Sequence, residues 1–99
     1  MVQAIDNLSR IRGTILSRRP HPTLKAYDSV ELELERTEAV EGKADLLVSQ
    51  RGLKIDLAVP RELLGATRPG AKLECRAKRT PDGAMCEAHP KTGDFKITS

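Results

Sequence analysis

The chain predicts a small all-β barrel, and three observations carry that expectation. Apolar and charged residues alternate with a period of two over residues 30–35, 53–59 and 72–78, the pattern of half-buried strands. Proline and glycine punctuate these runs at short intervals, so the strands are short and turn back on one another. Only one stretch, residues 61–65, reads as a helical turn. With 99 residues the protein is expected to form a single domain over 1–99, the barrel spanning about 7–98 behind a loose lead-in at 1–6. A chain of this size buries roughly two-thirds of its unfolded surface, enough for a modest core.

Each element has its own reason. The first strand is expected over about 7–18, but its apolar residues occupy both parities. A bulge at Gly13 brings Ile11 and Leu16 to one side and turns Arg10 and Arg12 outward; Ile15 stays outside that scheme. Arg19-Pro20-His21-Pro22-Thr23 reads as a loop, because two prolines two residues apart cannot sustain a ladder. In the second strand, over 29–37, Val30, Leu32 and Leu34 face in while Glu31, Glu33 and Glu35 face out. Glu41-Gly42-Lys43 turns the chain into a weaker strand at 44–49, and Gln50-Arg51-Gly52 closes a hairpin onto 53–59.

Pro60 ends that run, and Arg61-Glu62-Leu63-Leu64-Gly65 forms the helical turn with proline before it and glycine after. Arg68-Pro69-Gly70 offers a type II turn, since proline presets the first central residue and glycine accepts positive φ at the second. The next strand places Leu73, Cys75 and Ala77 on one face and Lys72, Glu74, Arg76 and Lys78 on the other. An Asp82-Gly83 turn leads into 84–88, His89-Pro90 breaks the ladder, and 94–98 adds a last strand around Phe95 and Ile97. The expected core is Ile11, Leu16, Val30, Leu32, Leu34, Leu53, Ile55, Leu57, Val59, Leu73, Cys75, Cys86 and Phe95. Tyr27 and Phe95 are the only aromatic residues of the chain, so aliphatic side chains must supply the packing.

A glycine-containing first strand, a central hairpin region, one helical turn after Val59-Pro60 and the Pro69-Gly70 turn before a closing hairpin together resemble an oligonucleotide/oligosaccharide-binding (OB) fold. The likeness covers about 7–89 and is architectural. It implies a five- or six-stranded antiparallel barrel, with the 44–59 hairpin as an elaborated third strand. An SH3-like or other six-stranded barrel is the alternative.

Charge points to function. The net charge of +3 hides blocks: five basic and two acidic side chains in 1–30, two and six in 31–45, eight and three in 46–79, two and three in 80–99. Small basic OB domains commonly bind nucleic acid, single strands being favoured. The candidate contacts are Arg10, Arg12, Arg18, Arg19, Lys25, Tyr27, Arg51, Lys54, Arg76, Lys78 and Arg79. Their cations neutralise phosphates, and Tyr27 stacks on a base. On this reading the basic residues and the Glu31, Glu33, Glu35 stripe occupy different faces. The rival reading is a protein-docking subunit or a homo-oligomer, with Leu46, Leu47, Leu63 and Leu64 as an apolar contact.

Enzymatic chemistry is not expected, because no nucleophile–base spacing or phosphate-cradling loop is present. No cofactor is expected either: Cys75, Cys86 and His89 lack a fourth ligand for zinc. With an Asp82-Gly83 turn, Cys86 falls opposite Arg79, four residues from Cys75, so the two thiols stay reduced and apart. No apolar run approaches a membrane span and no secretion signal opens the chain, so a cytoplasmic setting is the expectation.

Overall fold

The alternating runs form strands in the computed structural model, which describes residues 6–99. In order they are β1 (Ser9–Pro20), β2 (Tyr27–Ala39), β3 (Lys54–Pro60), the single-turn helix α1 (Arg61–Leu64), β4 (Lys72–Thr80), β5 (Gly83–Cys86) and β6 (Phe95–Thr98). Neighbours run β1-β2-β3-β5-β4, and β4 returns to β1, which closes a five-stranded barrel of OB-like architecture. β6 is the sixth strand, alongside β4. The lead-in expected at 1–6 lies outside the described residues except for Asp6, whose carbonyl accepts from the Ala44 amide.

The barrel is mixed, not wholly antiparallel: β3 and β5 run parallel through Leu57↔Ala84 and Ala58↔Met85. Geometry requires this, because directions cannot alternate all the way around a ring of five. The seam is tight at Gly83, whose φ is +147°, and a Cβ there would stand 2.3 Å from the Asp56 carbonyl oxygen. Only glycine permits that approach.

The β1–β2 ladder carries two irregularities, one in each strand. The β1–β2 register slips between Arg12 and Gly13 and again between Ile15 and Ser17. The first slip skips Glu35 on β2, so the bulge expected in β1 at Gly13 lies in its partner. β1 alternates regularly there with Ile11, Gly13 and Ile15 inside, and a Cβ on Gly13 would meet the Glu33 carbonyl oxygen at 2.3 Å. The second leaves Leu16 without a partner and half-buried, so Ile15 takes the core place expected of Leu16. β1 also runs through Arg19 and Pro20, which were expected in the loop; Pro20 sits at the strand's last pairing, opposite Asp28, and ends the ladder.

No strand forms over 44–49. The Asp45 carboxylate accepts from Ser9 Oγ at 2.6 Å and from the Leu47 amide at 3.2 Å, a local alternative to ladder pairing. A 3-10 turn at Val48–Gln50 follows. Leu47 is thereby buried at 1 % exposure, while Leu53, expected inside, is 54 % exposed. Backbone bonds from Leu34 to the Leu53 carbonyl and from Gly52 to the Leu34 carbonyl still fix this loop to β2. Burial of Leu47 and Leu64 removes both from the apolar contact considered above.

The core holds Ile11, Val30, Leu32, Leu34, Ile55, Leu57, Val59, Leu73, Cys75 and Cys86 as expected, with Phe95 packed partly against it. Ile15, Leu47, Leu64, Ala71, Ala77 and Ala84 complete it. The hairpin turns at Pro81-Asp82, not Asp82-Gly83, because Thr80 pairs with Gly83. Cys86 therefore faces Ala77 and lies diagonal to Cys75. Both are buried free thiols, and the hydrogen bond with Cys86, then burial, push the Cys75 thiol well above its ordinary range.

Candidate functional site

Strand register lays out the outer surface of the barrel row by row. Arg19 stands opposite Ser29, Ser29 opposite Ala58, Ala58 beside Met85, and Met85 opposite Lys78. One row of small or apolar side chains thus runs between two cations. In the next row Ser17 faces Glu31, Glu31 faces Asp56, and Thr80 pairs with Gly83. Beyond it Glu33 faces Lys54.

A groove of about 260 Å³ lies over these rows. His21, Thr23 and Leu24 of the β1–β2 loop form one wall, Asp82 of the β4–β5 turn the other, and Ser29, Ala58 and Met85 part of the floor. The loop wall is built, not slack: His21 Nδ1 accepts from the amides of Thr23 and Leu24 at 3.2 and 3.0 Å. The Tyr27 amide in turn donates to the Leu24 carbonyl. A second groove, also about 260 Å³, shares Asp56, Thr80 and Asp82 with the first and continues it past Lys54 and Arg79.

The eleven candidate contacts do not gather into one patch. Arg10 bonds Asp94 at 2.9 Å; that hydrogen bond raises the Arg10 pKa and holds the Asp94 carboxyl below its ordinary range. Arg76 pairs with Glu87 at 2.9 Å and with Asp94 at 3.6 Å. Arg18 is turned toward the core by the Leu16 slip, which puts it on the same side as its partner Val30. There it binds Asp28 at 2.6 Å and the carbonyls of Gly65 and Thr67. Tyr27 is half-buried at the start of β2, opposite Pro60.

Arg12, Arg19, Lys25, Arg51, Lys54, Lys78 and Arg79 are exposed and make no ion pair among the described residues. Arg12 stands apart from the groove, opposite Arg36 and Glu74. The other six border the two grooves or lie in adjoining segments. Acid and base do not separate onto two faces as expected. Lys54 faces Glu33, Arg10 faces Glu38, and Lys72 bonds Glu35 at 2.6 Å. Strand pairing interleaves the acidic second strand with basic neighbours on both sides, whatever the charge of each block in sequence.

Sequence reasoning missed Arg61 and His89, which border a hollow with Tyr27. The Tyr27–Pro60 register that unites them is a long-range pairing with no local signal. Among the described residues no three His, Cys, Asp or Glu side chains converge as a metal group, and no helix is long and apolar enough to cross a membrane. The architecture is that of a small closed β-barrel, compatible with a binding module of OB type. Comparison with family models, characterised proteins and solved structures finds no match.

Proposed function

We propose that the chain is a member of the OB superfamily that binds nucleic acid, single strands in preference, along the continuous groove between the β1–β2 loop and the β4–β5 turn. The distribution of unpaired cations carries the reading. Arg10, Arg18, Arg61, Lys72 and Arg76 are engaged by carboxylates. Arg19 and Lys25 at one end of the groove, and Lys54, Lys78 and Arg79 at the other, keep their charge available for phosphate. Arg51 adds to the second group. Asp56, which lines both grooves, and Glu31, its partner across the β2–β3 ladder, repel a phosphate chain, so the backbone follows the rim and bases turn inward. Carboxylates accept hydrogen bonds from base amino groups, which favours cytosine or adenine over thymine. Reduced cysteines fit a cytoplasmic setting.

Titration of labelled dC and dT 12-mers and a duplex at several salt concentrations tests this. Binding should weaken with salt at about 0.7 log units per phosphate contacted, and Lys54→Ala with Lys78→Ala should lower that slope by about 1.4. No binding at low salt, or affinity indifferent to salt, overturns the proposal.

A second reading, docking to a protein, is favoured by one feature. Val48 and Leu53 are large apolar side chains exposed at 51 % and 54 % beside Arg51. Val48→Ser with Leu53→Ser leaves nucleic-acid affinity unchanged on the first reading.

A further inference from the structure

A hollow of about 520 Å³ lies at the corner where β3 passes into α1, outside the groove just described. Its walls include Tyr27, the buried Pro60, Arg61 and the exposed His89. Ala26 and Ala88 add only methyl groups, which keep the space open. The volume falls within the roughly 300–1,000 Å³ of small-molecule sites. Tyr27 lies two residues along β2 from Ser29, on the same outward side, so the hollow begins about 7 Å from the groove floor.

Arg61 is held in one orientation. Its Nε donates to Asp28 Oδ1 at 2.9 Å and a terminal nitrogen donates to the Tyr27 carbonyl at 3.2 Å. Two N–H donors of one planar group are thus engaged at once, which restrains its orientation, and the side chain stays 51 % exposed. A fixed guanidinium, a phenol ring and an imidazole are the groups on which unstacked bases lie. Glu62 also lines the hollow, and its carboxylate disfavours a phosphate there. A flat, uncharged, polarisable occupant satisfies all of these walls.

We infer that this hollow receives one unstacked base of a single strand whose neighbouring nucleotides occupy the groove, with Tyr27, Arg61 and His89 as its stacking surfaces. The inference rests on the nucleic-acid reading and adds to it a base subsite at the β3–α1 corner.

The protein carries its own reporter, because Tyr27 is its only tyrosine and it has no tryptophan. Titration of the wild-type chain with a dC 12-mer should quench tyrosine emission in step with binding, and an abasic 12-mer should bind without quenching. Tyr27→Leu should lose roughly five- to a hundredfold in affinity, the range for one stacked base, while Tyr27→Phe keeps it. His89→Ala, an exposed loop substitution, gives a second loss that does not depend on how β2 tolerates change at Tyr27. Binding of the dC 12-mer with unchanged emission and unchanged affinity in His89→Ala overturns the base subsite and leaves the groove standing. Equal quenching by the abasic strand also overturns it. No binding of any strand overturns both readings.

Discussion

Arg18 Nε lies 2.6 Å from Asp28 Oδ2, both side chains being largely buried. The other oxygen of the same carboxylate takes Arg61 Nε at 2.9 Å. Asp28 thus joins β1, β2 and α1 through one side chain that is only 6 % exposed. Arg18 carries the link on to the carbonyls of Gly65 and Thr67, which follow the helical turn.

Removing the carboxylate leaves the Arg18 cation largely buried and unpaired, so Asp28→Asn should lower unfolding stability by about 3 kcal/mol. Arg61 is half exposed, and Arg61→Ala should lower it by about 1 kcal/mol or less. Urea denaturation of both variants checks the order. Equal losses would show that Arg18 gains nothing from Asp28 beyond what an exposed pair supplies.

Acid should destabilise the fold. Burial raises the Asp28 pKa, but the bonds from Arg18 and Arg61 together outweigh it and leave the carboxyl below its ordinary 3.8. Bonds from Lys72 and Thr14 hold Glu35 below 4.5, against a smaller opposing effect of burial. A depressed carboxyl contributes stability that is present above its unfolded pKa and lost as pH falls through the folded one. Melting temperature should therefore hold steady above about pH 5 and decline below about pH 4. A melting temperature unchanged down to pH 2.5 would contradict this.

At the closing seam, Gly83→Ala places a methyl against the Asp56 carbonyl oxygen in a backbone conformation that L residues rarely adopt. The expected loss is about 2–3 kcal/mol, combining steric strain with unfavourable φ. Exchange of the Ala58 and Met85 amides, measured by NMR, should rise more than exchange in the β1–β2 ladder. Uniform change across the barrel would mean that the seam is not where the strain falls.

Much of this architecture was legible in local pattern. The alternation of β2, β3 and β4, the Pro60-to-Gly65 turn and the Pro69-Gly70 turn each rest on neighbouring residues, and each is present. What escaped depends on distant partners. The Leu16 slip exists only relative to β2, and without it Arg18 reads as a surface cation. Residues 44–49 have the composition of a weak strand, but Ser9, some forty residues away, gives Asp45 a better bond. The candidate site suffered most. Charge along the chain says nothing of which acid lies across a ladder, and pairing with Asp94, Glu87 and Asp28 occupies three of the arginines chosen from sequence.

β1 lends both of its edges, one to β2 and the other to β4. Its second edge waits for residues some sixty positions downstream, since Ser9 pairs with Ala77 and Thr14 with Lys72. Chains whose pairings span such separations fold in milliseconds to seconds, not microseconds. Before β4 and β5 join, a sheet of β1, β2 and β3 alone has two bare flanks, the outer edge of β1 and that of β3, which pairs with β5. Until β4 and β5 seal them, these unpaired edges are where such a sheet is most apt to pair with a stranger.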